Sequence, residues 1–182
     1  MDRVAIVGCS GSGKSALAHY RAERLGLVHI ELDALFHQPD WTPTPTPEFR
    51  TKVTGALETP RWVVDGNYMM VSDLVQAGAD TIVVLDLGRV RTTGRVVRRS
   101  VVRSLRREHL WGTNYESWRR LVSRDPEESI VMWTWTQHPK YRARYRRMIT
   151  DGSWAHATVH HLTKPREVRR FRRAAGETRL SA

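Results

Sequence analysis

Two hydrophobic periods alternate along this chain. Val4-Ala5-Ile6-Val7 is an unbroken apolar run and reads as a buried strand. Leu17, Ala18, Ala22 and Leu25 then recur at helical spacing, and Gly26 is placed to end that helix. Leu27-Val28-His29-Ile30 predicts a second strand, residues 61–65 a third, 81–86 a fourth and 157–162 a last one. Helices are predicted over 48–57, 90–105 and 165–175, the last with Pro165 near its start. In the helix over 90–105, Val90, Gly94, Val97, Val101 and Leu105 fall on one face, and Arg91, Arg95, Arg99, Arg103 and Arg106 on another. Residues 35–41 lead into Thr42-Pro43-Thr44-Pro45-Thr46-Pro47, whose prolines predict a stiff extended connector rather than helix or central strand. Residues 111–149 read as largely helical, with a break at Pro139. Strands alternating with helices predict an α/β fold built on a parallel sheet with right-handed crossovers. Ligands of such sheets bind beyond the carboxyl ends of the strands.

One stretch between the first strand and the first helix carries specific chemistry. Gly8-Cys9-Ser10-Gly11-Ser12-Gly13-Lys14-Ser15 is G-x-x-x-x-G-K-S, the Walker A phosphate loop, in the strand–loop–helix setting it requires. Its glycines let backbone N–H groups turn inward on a triphosphate, and the helix N-terminus adds positive potential. Lys14 is placed to reach the β- and γ-phosphates of ATP, and Ser15 to contribute its hydroxyl to Mg²⁺. Cys9 occupies a variable position of the loop and is not read as a nucleophile.

Charge sharpens the picture. The 182 residues carry a formal net charge of +11, concentrated between Arg89 and Arg147 in runs such as Arg98-Arg99, Arg106-Arg107, Arg119-Arg120 and Arg142-Ala143-Arg144-Tyr145-Arg146-Arg147. Arginine grips phosphate with a planar fork, so a polyphosphate, a nucleic acid or a merely solvated face would each account for it. The length suits one domain. No stretch is apolar enough to span a membrane. Cys9 is the only cysteine, and no leader precedes the first strand, so a soluble cytoplasmic protein is expected.

Acidic residues follow three of the predicted strands. Asp33, Asp65 and Asp86 would gather with the loop on one sheet edge. Asp65 and Asp86 both end an apolar strand in the manner of a Walker B carboxylate. Asp65 is favoured as the metal-organising residue because Gly66 follows it and its strand can lie beside the first. Asp86 is equally well read as a helix cap or loop residue. Asp33 is the candidate for orienting or deprotonating an acceptor. His37 and Asp40 are candidates for lining the acceptor pocket, and acceptor choice would depend on its shape around Phe36, His37, Trp41 and Tyr68. Trp111, Trp118, Trp133, Trp135 and Trp154 are read as the small core of a mobile cap formed with the arginine-rich helices, ahead of a base-stacking role.

Three further segments carry a family resemblance: Leu32-Asp33-Ala34-Leu35-Phe36-His37-Gln38-Pro39-Asp40-Trp41, Trp62-Val63-Val64-Asp65-Gly66-Asn67-Tyr68 and Ala79-Asp80-Thr81-Ile82-Val83-Val84-Leu85-Asp86. With the Walker A loop, they make the chain resemble adenylate-kinase-like P-loop kinases, and within these the group related to DNA topology modulation protein. The resemblance implies a three-layer P-loop NTPase fold: a five-stranded parallel sheet flanked by helices, with a helical, arginine-rich lid. It implies an acceptor-binding segment at 33–60 and a lid insertion at 105–150 within one domain, 1–182. It places Arg95 near the ATP base and Arg99 near its phosphates. Asn67-Tyr68-Met69 stand where adenylate kinases carry Phe-Pro-Arg, so the arginine that helps hold AMP has no counterpart. The lid matches no adenylate kinase lid and carries no zinc-binding cysteines.

The expectation is an ATP- and Mg²⁺-dependent kinase of a nucleotide or other small acceptor. Lys14, Asp33, Arg95 and Arg99 would act in catalysis, residues 8–15 would hold the nucleotide, and Ser15 and Asp65 the metal. Two other readings stand beside it: a nucleic-acid-binding ATPase with a basic lid, and a regulatory module that binds ATP without turnover. No membrane partner is expected.

Overall fold

The computed structural model describes residues 1–106, 109–111, 114–115, 123, 125–126 and 128–177. Five strands form one parallel sheet: β1 (Arg3–Gly8), β2 (Val28–Glu31), β3 (Trp62–Asp65), β4 (Thr81–Leu85) and β7 (Thr158–Leu162). Their order is β2-β3-β1-β4-β7, so the strand feeding the glycine loop is central. Both faces of the sheet are covered, which is why β1, β3 and β4 read as continuous apolar runs rather than alternating ones. Ala5 and Val7 point to a core shared with Phe49, Val53, Trp62 and Trp154. Val4 and Ile6 point to the other core, with Leu17, Ala18 and Phe171.

Helix α1 (Lys14–Leu25) and α7 (Pro165–Glu177) supply the second of these faces. A short α2 (Leu32–Phe36), α3 (Thr46–Leu57) and α4 (Ser72–Gly78) follow β2 and β3. Helix α5 (Arg89–Arg106) follows β4, and α6 (Ile130–Thr150) precedes β7. Between them, where a largely helical run was expected from residue 111, the described residues include a small antiparallel pair, β5 (His109–Leu110) and β6 (Asn114–Tyr115), and the helix begins only at Ile130. The three-layer α/β architecture is the expected one.

Four further local expectations change. The 42–47 connector is not all extended, since Thr46 and Pro47 open α3; ahead of it Leu35 and Phe36 close α2, and residues 39–42 form a tight turn in which Thr42 N–H donates to Pro39 O. Proline suits the first helical turn because no N–H is needed there. Helix α6 runs through Pro139 without stopping. The ring removes the N–H that would bond the Trp135 carbonyl, and Arg89 replaces it, donating from Nε at 2.8 Å. The apolar face assigned to α5 is not the buried one: Thr92, Val96, Ser100 and Ser104 are buried, whereas Val90 is 77% and Leu105 69% exposed. The tryptophans do not form one cap core. Trp154 is buried in the main core, Trp135 is partly exposed under Arg89, and Trp111 meets the 37–41 segment. Trp118, Arg107, Arg119 and Arg120 lie outside the described residues, as does part of the expected lid.

Candidate active site

The glycine loop folds around its own backbone. Ser12 donates its N–H to Cys9 O at 3.1 Å, and Gly13 turns left-handed (φ 99°) to start α1 with no side-chain cap. The first N–H groups of α1 therefore have no intrahelical acceptor and no capping side chain, the arrangement an anion completes. Lys14 folds back so that Nζ donates to Cys9 O at 3.2 Å. Burial pushes its ammonium below the usual lysine range, opposed by Asp33 and Asp65, with Arg99 adding to the push. Cys9 is buried, and burial raises its thiol pKa against the pull of Lys14. Its Sγ approaches Thr134 O of α6 at 3.8 Å. A neutral, enclosed thiol is a packing group.

At the carboxyl end of β3, Asp65 is buried and accepts two hydrogen bonds. Ser15 Oγ donates at 2.5 Å, and His29 Nε2 donates at 2.8 Å from the neighbouring strand. Burial pulls the His29 pKa down, but the Asp65 and Glu31 carboxylates outweigh it and hold it above the ordinary histidine value. Ser15 and Asp65 are the hard oxygen donors that Mg²⁺ accepts when it keeps several waters and bridges to phosphate. Asp86 is engaged differently. Arg142 Nε lies 3.0 Å from Oδ1, and Arg146 Nε and His161 Nε2 lie 3.2 and 3.1 Å from Oδ2. Strands β3 and β4 both flank β1, so adjacency does not separate the two aspartates; their partners do.

Asp33 lies in the first turn of α2, within electrostatic reach of Lys14. Tyr68 donates its hydroxyl to Asp33 Oδ1 at 2.6 Å. The single phenolic proton is then committed, so His37 Nε2 is the donor to Tyr68 Oη at 3.3 Å. His37 Nδ1 is buried without a partner, and burial lowers the His37 pKa against the pull of Asp33, both favouring the neutral ring. Burial, with Asp33 beside it, raises the Tyr68 pKa and keeps it a phenol.

Two arginines of α5 reach this region. Arg95 donates from Nη1 to Ser12 O at 3.3 Å and stands against Gly13. Arg99 is near enough to Lys14 to act on its titration. Ser10, Gly11 and Gly13 of the loop, with Lys14, Ser15, Asp33, Arg95 and Arg99, line one cleft of about 1350 Å³. Phe36, His37, Trp41, Tyr68 and Trp111 line it too.

Several contributors were not assigned roles by sequence reasoning. Asn67 hydrogen-bonds the first glycine of the loop through both amide atoms: Nδ2 donates to Gly8 O, and Oδ1 accepts from Gly8 N at 3.4 Å. Tyr145 of α6 donates to the same Oδ1 at 3.0 Å, which ties that helix to the loop. Position gave a signal for Asn67, which follows the Asp65-Gly66 strand end directly. His29 gave none, because its partner depends on strand register, and Trp111, read as part of a cap core, instead meets Glu31 80 positions back in the chain.

No protein-family profile matches the chain, and no curated protein sequence matches it. Solved structures do. A gluconokinase from Sinorhizobium meliloti 1021 is similar with a TM-score of 0.52 at 17% identity, over 98% of this chain and 93% of that one. A shikimate kinase from Acinetobacter baumannii in complex with shikimate is similar with a TM-score of 0.56 at 16% identity, over 100% of this chain and 94% of that one. At such identities the likeness establishes architecture: the chain has the three-layer α/β fold of P-loop kinases.

Proposed function

We propose that the protein is an ATP- and Mg²⁺-dependent kinase that phosphorylates a small hydroxyl-bearing acceptor, the whole chain serving as one adenylate-kinase-like domain. The observation that carries this reading is the hydrogen bond from Ser15 to the buried Asp65 at the foot of the Walker A loop, Ser15 lining the same cleft as Lys14 and Asp33. A nucleotide-binding regulator needs the loop, whereas a second carboxylate in the cleft, Asp33, suits transfer to an acceptor. The gluconokinase and the shikimate kinase to which the fold is similar are, by their names, kinases of small molecules.

The loop amides and Lys14 would hold the triphosphate, and Arg95 and Arg99 would close over it from α5. Ser15 would turn its hydroxyl from Asp65 to the metal, and Asp65, kept in place by His29, would order the metal's waters. Magnesium, when bound, supplies positive charge against the phosphate oxygens. Asp33, oriented by Tyr68, would accept the proton of the acceptor hydroxyl. Enclosure of the reacting groups beneath α5 would exclude water and suppress hydrolysis.

A screen of ADP release against nucleosides, nucleotides, polyols, amino alcohols and polynucleotides tests the reading. Acceptor-dependent release that disappears in Lys14→Ala, with thermal unfolding unchanged, is expected. Release stimulated by polynucleotide alone, falling steeply with salt, would transfer the site to a nucleic-acid-dependent ATPase.

A further inference from the structure

The wall of the cleft next to Asp33 is aromatic, and its geometry is specific. His37 stacks on Trp111, with centroids 5.4 Å apart and planes at 23°. Trp41 stands at 77° to His37 and at 83° to Trp111, with centroids at 5.2 and 6.0 Å. Rings set at right angles enclose a corner, the shape that surrounds a compact cation. A flat heteroaromatic ring needs two parallel faces held apart.

Backbone strain is concentrated at this corner. Among the described residues, left-handed φ outside glycine occurs at Asp40 (59°), Trp41 (59°) and Trp111 (44°) alone. Conformations of this kind persist only where the surroundings impose them. Buried Asn114 imposes part of it: Oδ1 accepts the Trp41 N–H at 2.7 Å, and Nδ2 donates to Gln38 O at 2.9 Å.

A carboxylate stands at the corner, its Oε1 3.8 Å from His29 Nδ1 and its Oε2 turned to the aromatic wall. Glu31 Oε2 accepts the Trp111 indole N–H at 3.3 Å. Asp33 is reached from His37 through Tyr68. The two basic residues of the 33–60 segment are committed elsewhere: Arg50 makes a bidentate pair with Asp73, and Lys52 pairs with Glu48 at 2.7 Å. The arginines that line the cleft, Arg95, Arg98, Arg99 and Arg103, belong to α5, where Arg95 stands against the phosphate loop. The 33–60 segment therefore offers an anionic acceptor such as a nucleoside monophosphate no uncommitted arginine or lysine.

We propose that the acceptor is a small hydroxyl-bearing organic cation, an amino alcohol or aminocyclitol. Its ammonium sits in the Trp41–Trp111 corner beside Glu31, and its hydroxyl points to Asp33. This rests on the kinase reading for turnover but not for binding. In the transfer, the acceptor oxygen forms a bond to the γ-phosphorus and the bond from that phosphorus to the β,γ-bridging oxygen breaks. The hydroxyl proton goes to Asp33, and the products are ADP and a phosphate ester.

Binding is measured first without nucleotide, by calorimetry or tryptophan emission, with choline and with dimethylbutanol, its uncharged carbon isostere. Choline is expected to bind saturably and about tenfold tighter than the isostere. Glu31→Gln should weaken choline by about tenfold and leave the isostere unchanged. Trp111→Phe, which keeps a ring, serves where Trp111→Ala does not fold, and should also weaken choline. Equal binding of choline and isostere overturns the inference, as does indifference to Glu31→Gln. ADP release is then compared among deoxystreptamine, inositol, gluconate and AMP. Release with AMP or gluconate alone overturns the cationic acceptor and leaves the kinase reading standing. Selective choline binding without ADP release from any acceptor supports the cation site and refutes the kinase reading.

Discussion

Arg89 and Pro139 should be energetically coupled although 50 positions apart in sequence. The proline leaves the Trp135 carbonyl without its helical N–H, and the Arg89 Nε–H fills the gap at 2.8 Å. The Arg89 guanidinium also lies 3.7 Å from the Trp135 ring centroid. A hydrogen bond from a charged donor is worth about 1.5 kcal/mol at the low end, appropriate to a site partly open to water. The ring contact adds about 0.5–1 kcal/mol. Arg89→Ala should therefore destabilise by about 2 kcal/mol. Pro139→Ala restores an N–H at position 139, so the carbonyl regains a partner within the helix and no longer needs arginine. In that background Arg89→Ala should cost only the ring contact, about 0.5–1 kcal/mol. The expected coupling is about 1 kcal/mol, read from urea unfolding of the four proteins in a double-mutant cycle. Additivity within about 0.5 kcal/mol would refute the capping argument. So would a Pro139→Ala protein that needs Arg89 as much as the parent does.

Two further outcomes follow from the site. Tyr68→Phe keeps the ring contacts with Phe36 and Phe49 but removes the hydroxyl that orients Asp33, so kcat should fall by at least about tenfold with the KM for ATP little changed. His29 has a raised pKa in the folded chain, so its ion pair with Asp65 stabilises fully below the unfolded value of about 6.5. That stability is lost as pH rises through the higher folded value, and His29→Gln should flatten the fall in chemical-denaturation midpoint across this window.

Much of the fold was legible because burial on both sheet faces writes strands as apolar runs. Val4 to Val7 and Ile82 to Leu85 could hardly be read otherwise. The phosphate loop was legible because its glycines are adjacent in sequence and act locally. Pro139 misled because local rules say that a proline ends a helix, while the donor that rescues it comes from another helix. Pro47 misled because a proline run looks uniform, yet its last member has the role of a first-turn residue in α3. Trp154 was assigned to a cap by composition. Its indole N–H instead finds Gln76 Oε1 at 3.0 Å, 78 positions back in the chain, within the main core.

Helix α5 shows why hydrophobicity alone chose the wrong face. Its buried face carries Thr92, Val96 and Ser100, small or β-branched side chains that let the helix backbone come close to the phosphate loop. At the point of approach stands Gly11 (φ 75°), where a Cβ would overlap the Thr92 carbonyl and lie 2.8 Å from Val96 Cγ2. Leucine or a larger residue on this face would push the helix away and withdraw Arg95 and Arg99 from the loop. The greasier stripe of Val90, Val97 and Leu105 is left exposed, because proximity selected for size before apolarity. Gly11→Ala tests this. The left-handed backbone costs about 1–2 kcal/mol and the overlap about 1–3 more, so a loss of at least about 2 kcal/mol is expected, with weakened ATP binding. Gly94→Ala in the same helix meets nothing within 4 Å and should stabilise by about 0.5–1 kcal/mol. Two glycine-to-alanine changes of opposite sign, measured by thermal and urea unfolding, distinguish close approach from a general intolerance of the region. A Gly11→Ala protein as stable as the parent, with Arg95 still supporting turnover, would show that α5 does not need its small face to reach the loop.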